Sequence, residues 1–369
     1  MTAQATVTVP TANPTPPAPR WRTPLALLLT GVLLFLIAWS SRSGIGGTRV
    51  ANPAVSGHPR PVRPLWGFQH WIVLHEIGTV VMMVSLVIGV VIAWRRHPKH
   101  PYLLMTIAAT GIVWQDPIMN WAPLAVYDPR LHHWPVSWPL VSMSPTVEPF
   151  IVIGYATFYF LGPFFPAMAI MRRLQARASR DSFVWRHPLV TLGALAFVCG
   201  FILDACLEIF LVRTQLYIYS HVPAFGSVFT GKTYQFPLLV ESSAVCLVMV
   251  PAVVLCYRDD TGRTQAEKLA QRFKGFAKRP ALATFVVMFA ILNVAYFAYG
   301  GVFAILRDAR LTNNVACPYP YPEAKTYDPL GLYAKAGDKG PYFPGIWAGW
   351  ESAQSGRPNV ATAATGPCA

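Results

Sequence analysis

The chain has 369 residues, of which 54% are hydrophobic and only 12% charged, with a formal net charge of +14. A soluble domain carries about twice that charged fraction, so an ordinary water-soluble globule is excluded. Nucleic-acid binding is not the reading of the basic surplus either, because Lys and Arg gather in alternate loops between apolar runs, which is a membrane pattern.

Residues 1–20 carry Pro10, Pro14, Pro16, Pro17 and Pro19 among Thr and Ala. They cannot bury a core and are expected to be disordered. From 21 to about 306, runs long enough to cross ~30 Å of hydrocarbon recur. They fall at roughly 23–41, 66–94, 102–121, 149–171, 188–213, 236–257 and 280–305. Lipid leaves no water for an open backbone, so each is expected to be a helix. Trp39, Trp66, Trp94, Trp121 and Trp185 lie near the ends, where amphipathic rings favour the interface. The first run is long for a signal peptide and Ile37-Ala38-Trp39-Ser40 is a poor cleavage site, so it is expected to stay as an anchor. The fold class is therefore all-α, a multi-pass membrane bundle of about seven helices in the cell membrane.

The loops differ in character. Residues 42–65 are rich in Gly and Pro, whereas 122–147 add Tyr127, Trp134 and Trp138, which favours a packed loop. His132 and His133 lie there and read as solvated. Residues 258–279 mix charges and leave room for a short helix. The tail 307–369 is aromatic as well as rich in Pro and Gly, unlike a simple disordered tail. Cys317 and Cys368 bracket it on the expected outer side, where a disulfide persists. Cys199, Cys206, Cys246 and Cys256 lie in spans and read as small packing residues.

Of the thirty Lys and Arg, two precede the first run, three lie in the second–third loop, five in the fourth–fifth and seven in the sixth–seventh, seventeen in all. The opposite loops hold seven. The positive-inside rule then places the N-terminus inside and the C-terminus outside.

Charge at bilayer depth is costly and marks function or a partnered cluster. Glu76, Asp116, Glu148, Asp204, Glu208 and Glu241 sit in or beside the apolar runs, and the topology turns all six toward the outer face. Asp204 and Glu208 are four apart and share a helical face. Two such carboxyls in a poorly solvated site do not both ionise, which leaves an acid beside a carboxylate. That pairing serves general acid–base catalysis, although proton relays and ion sites use it too. His70, His75 and Glu76 belong to the outer part of the second run, and for His70 and Glu148 interfacial charge is an equal reading.

Several motifs fail. His75-Glu76 lacks the second histidine of a zinc-protease helix, since position 79 is Thr79. A metal site would have to be assembled across helices, and none is expected. No run contains lysine, so a retinal Schiff base is excluded. No phosphate-cradling loop, nucleophile elbow or dinucleotide fingerprint appears, and no cofactor is implied.

The stretch Trp114-Gln115-Asp116-Pro117-Ile118-Met119-Asn120-Trp121, followed by Tyr127 and then by Glu148-Pro149 opening a new apolar run, resembles the AveC-like spirocyclase family of actinobacterial membrane proteins. The resemblance is clearest over about 110–170. It implies spiroketal formation, with or without dehydration, on a polyketide-like substrate. The chemistry of that reaction suits the acids, and Asp116, Asp204 and Glu208 are the expected acid, base and cation-stabilising groups. Gln115, Asn120, Glu148, Glu241, His75 and Glu76 are the expected substrate-binding residues. Tyr155, Tyr159 and Tyr296 are wall candidates, though aromatics at helical spacing more often pack. The partners expected are a lipophilic small molecule and the bilayer. The competing readings are a non-catalytic carrier with a proton-handling cluster, and a membrane subunit whose acids only join helices. The absence of an internal repeat weighs against a transporter.

Overall fold

The computed structural model describes residues 70–123, 149–214 and 234–309, with short stretches and single positions elsewhere, chiefly 125–127, 216–219, 221–223, 225–230 and 311–314. Most of the first expected run, Glu148, His132, His133 and the Cys317–Cys368 pair lie outside the described residues, as do most of the two terminal segments. The described part is mostly helical.

Four helices are long and apolar enough to cross a membrane among the described residues. These are α1 (Trp71–Arg96), α7 (Pro188–Arg213), the continuous pair α8 (Leu238–Ala244) and α9 (Cys246–Leu255), and α11 (Pro280–Asp308). Proline at the first helical position opens α7 and α11, where its missing N–H costs nothing. Large apolar side chains face outward: Leu74 and Ile77 on α1, Val198 and Ile202 on α7, Val294 and Phe297 on α11. A soluble monomer does not expose such surfaces, and lipid is their natural cover.

The runs at 102–121 and 149–171 fold as broken helices, and proline is the reason. α2 (Pro101–Gly111) tightens into a 3-10 turn at Ile112–Gln115 before α3 (Asp116–Trp121). Pro117 has no N–H to return, and its ring crowds the carbonyl of Val113 inside that turn. In the same way α4 (Ile151–Leu161) passes through Gly162-Pro163 into α5 (Phe164–Arg177). Within the run expected from 66, α1 begins at Trp71 and His70 is its N-cap. A short α6 (Phe183–Arg186) leads into α7, and α10 (Gln265–Ala270) lies in the charged loop. α10 starts at a capping box in which Thr264 and Glu267 bond each other's backbone N–H.

The core joins α2, the 3-10 turn after it, α4, α9 and α11 through Met105, Ala108, Ile112, Ala156, Met249 and Leu292. Between helices in lipid there is little hydrophobic drive, so close fit matters most. Gly154 of α4 lies directly against Thr79 of α1: a Cβ there would run into Thr79 Cγ2 and stand 2.8 Å from the Thr79 carbonyl oxygen. Gly300 of α11 meets Met119 of α3, whose Sδ would be 2.5 Å from an added Cβ.

Short ladders close one end of the bundle, a departure from a purely helical fold. β1 (Ala125–Tyr127) pairs antiparallel with β2 (Tyr217–Tyr219). β3 (His221–Pro223) pairs with β4 (Thr312–Asn314), just beyond α11. Arg95, Arg96, Lys99, Lys278 and Arg279 lie at the opposite, basic end.

Gly154→Ala should destabilise the protein by about 1–3 kcal/mol, the usual cost of overpacking. A thermal melt of detergent-purified protein measures it. Gly193→Ala, whose added Cβ would make an ordinary 3.7 Å contact with Val250, should leave the midpoint nearly unchanged.

Candidate active site

Four of the acids singled out in the sequence are buried near the ladder end, and each is met by a tyrosine hydroxyl. Tyr296 donates to Asp116 Oδ1 at 2.5 Å. Tyr159 donates to Asp204 Oδ1. Tyr219 donates to Glu208 Oε2 at 3.0 Å. Tyr299 donates to both oxygens of Glu241, at 2.8 and 3.1 Å. Asp204 has no exposed surface and Glu241 only 3%. A hydrogen bond to a charged acceptor contributes about 1.5–3 kcal/mol net, which partly offsets the cost of such burial.

Local spacing explains much of this arrangement. Asp204 and Glu208 are one turn apart on α7, and Tyr296 and Tyr299 three apart on α11, so each pair shares a face. The Pro117 break places Asp116 at the first position of α3. One turn on, Asn120 Nδ2 donates to Asp116 Oδ2 at 2.9 Å, while its own Oδ1 accepts from Tyr127 at 3.3 Å. In the β1–β2 ladder alternate residues share a face, so Ala125 and Tyr127 stand with Tyr219 and Tyr217. The Gln235 amide holds that ladder by donating to the Tyr219 carbonyl at 3.1 Å.

These groups surround a small cavity of about 50 Å³. Asp116, Asn120, Glu208, Glu241 and Tyr159 line it, together with Tyr296 and Tyr299 of α11 and, from the ladder, Tyr127, Tyr217 and Tyr219. At roughly 10–15 Å³ per water it holds a few waters. No Lys, Arg or His lines it among the described residues. The acids therefore face one another across a site with neutral donors, and Asp116, Asp204 and Glu241 all bear electrostatically on Glu208. Tyr219, in the ladder, has its hydroxyl pushed well up, first by burial and then by Glu208 and Glu241. It stays protonated at neutral pH and remains a donor. Asp204 sits beside the cavity rather than in its lining. Its Oδ2 and the nearby Ser242 Oγ are both buried without a hydrogen bond of normal geometry among the described residues.

The other expected residues are placed differently. Gln115 lies outside the cavity, donating to Asn293 Oδ1 at 2.5 Å and to the Asn293 carbonyl at 3.2 Å. His75 and Glu76 are on α1 and do not line the cavity. His75 Nε2 is buried with no hydrogen-bond partner among the described residues. Glu148 lies outside the described residues. Sequence reasoning named Tyr159 and Tyr296 only as wall candidates and did not single out Tyr219 or Tyr299 as carboxyl partners. The three-residue spacing on α11 was an available signal. For Tyr219 the Tyr-x-Tyr alternation is visible, but its target depends on the ladder.

Asn293 ties α11 to the break before α3, since its Oδ1 also accepts from Trp114 Nε1 at 2.7 Å. Asn293→Ala should cost about 1–3 kcal/mol of stability by leaving these donors short of a partner. Thermal unfolding in detergent provides the measurement.

No curated protein and no solved structure matches this chain. Residues 94–327 match the family described as Spirocyclase AveC-like. That range covers well over half of the sequence and every residue lining the cavity. The chain thus belongs to the AveC-like spirocyclase family.

Proposed function

We propose that the protein is a multi-pass enzyme of the cell membrane that performs acid–base cyclisation of a lipophilic, oxygenated, polyketide-like substrate. The observation that carries this reading is the gathering of Asp116, Glu208 and Glu241 around one cavity, with Asp204 behind Glu208 and a tyrosine on each acid. Seven spans with an inner N-terminus give the arrangement its setting. The four long helices support a multi-pass chain, and this reading takes the two broken helices and the apolar run 23–41 as three further spans.

The chemistry follows from the groups. A dihydroxyketone closes to a hemiketal without change of composition. A protonated carboxyl gives its proton to the hemiketal hydroxyl, the C–O bond breaks, and water leaves an oxocarbenium ion. A neighbouring carboxylate stabilises that cation, as paired carboxylates do in glycosidases. The second hydroxyl adds to the cation and gives up its proton to a carboxylate. The net change is loss of one water, and the acid pair returns to its starting charge. Tyrosine hydroxyls orient the carboxyls and follow the shifting charge without a cation of their own.

Substrate-sized pockets measure about 300–1,000 Å³, so the observed cavity is a closed form. In this reading the β1–β2 ladder moves aside to admit the reacting segment and then excludes water, as lids do. Asn120 and Tyr127, linked to each other and to Asp116, couple that cover to the acid.

The test is incubation of purified protein with a linear dihydroxyketone, followed by mass spectrometry for the product lighter by one water. Glu208→Gln and Asp116→Asn should each lower turnover by about a hundredfold to ten-thousandfold, with the melting point retained. Tyr299→Phe should cost roughly tenfold to a hundredfold, the equivalent of one hydrogen bond to a charged group. Bound but unaltered substrate would favour a carrier. Full turnover in both acid variants would reject the assignment.

A further inference from the structure

A second site stands at the basic end, remote from the ladder-end acids. An apolar groove of about 470 Å³ runs between α2 and the start of α11. Leu104 and Ile107 form one wall, Leu282 and Phe285 the other, and Trp94 of α1 closes the side. Lys99, Lys278 and Arg279 stand at its mouth. None of these three cations has an ion-pair partner among the described residues; the ion pair found there joins Lys268 to Asp259. Lys99 holds a backbone φ of +72°, in the left-handed region that a residue with a side chain rarely adopts. Such strain costs about 1–3 kcal/mol and persists only where surroundings enforce it. Here it belongs to the tight turn joining α1 to α2, which brings a lysine to the groove.

We propose that this groove binds an anionic phospholipid, with an acyl chain along the apolar walls and the phosphate against Lys99, Lys278 and Arg279. Charge and shape both select that occupant. The walls are almost wholly hydrocarbon, and the unpaired positive charge is confined to one end. The mouth lies where α1 ends and α11 begins, so in a bilayer the cations reach headgroup depth while the groove points into the acyl region. Pro280 starts a 29-residue helix whose N-terminal dipole adds to the attraction for an anion. Basic pockets between spans at such a surface suit anionic headgroups. A zwitterionic lipid would satisfy the walls but bring its own cation to the mouth. Free phosphate would leave the groove empty.

Native mass spectrometry of the full chain in detergent tests the proposal with three probes: phosphatidylglycerol, phosphatidylcholine with the same acyl chains, and inorganic phosphate. Phosphatidylglycerol should bind in preference to phosphatidylcholine, and millimolar inorganic phosphate should not displace it. Changing Lys99, Lys278 and Arg279 together to Gln should weaken phosphatidylglycerol binding by roughly tenfold to a hundredfold and leave phosphatidylcholine unaffected. All three side chains are exposed, so the variant is expected to fold. In the unaltered protein, a photoreactive acyl chain on phosphatidylglycerol should label the segment 278–285. Equal binding of both lipids, displacement by inorganic phosphate, unchanged affinity in the triple variant, or labelling confined to other helices would each overturn the site.

Discussion

The bundle is organised around hydrogen bonds from tyrosine to buried carboxyl groups. An acid removed from water needs either a cation or several donors, and the described residues lining this cavity include no cation. Tyrosine meets that need with one O–H and a ring that packs like its apolar neighbours. Satisfying four acids in this way requires α3, α4, α7, α8 and α11 to approach within hydroxyl reach of one another, together with a strand that brings Tyr219. Glycines at contacts such as Gly154 on Thr79 and Gly300 on Met119 allow that closeness.

The irregular backbone serves the same end. A straight helix through 102–121 would not present Asp116, Asn120 and the Asn293 tie in the same way. The turn forced by Pro117 sets Asp116 at the start of its own short helix. Non-helical backbone at membrane depth is tolerated where it is buried in protein or faces a polar cavity. The β1–β2 ladder, which joins segments about ninety residues apart, adds Tyr127, Tyr217 and Tyr219 to the cavity lining.

The two ends of the bundle thus divide their work. Carboxyls and tyrosines occupy the ladder end, while the basic end carries Lys99, Lys278 and Arg279 beside an apolar groove. α11 reaches both regions, giving Leu282 and Phe285 to the groove and Tyr296 and Tyr299 to the cavity.

Helix positions are readable from the chain because apolar length, proline starts and the segregation of Lys and Arg are properties of near neighbours. α7 and the start of α11 coincide with the runs expected from sequence, and the shared face of Asp204 and Glu208 follows from a spacing of four. Gln115 shows where that kind of reading stops: its polarity marks it for a role, but whether it faces the cavity or Asn293 depends on the rotation of α11. Amphipathic arithmetic gives no such rotation in a helix that is apolar on nearly every side. The partner of each acid is beyond local pattern for the same reason. Tyr296 and Asp116 are 180 positions apart, and Glu241 and Tyr299 are 58 apart. Composition and periodicity dictate that helices will cross lipid and carry acids; only the packing of those helices selects which hydroxyl meets which carboxyl, because that choice rests on contacts between distant segments.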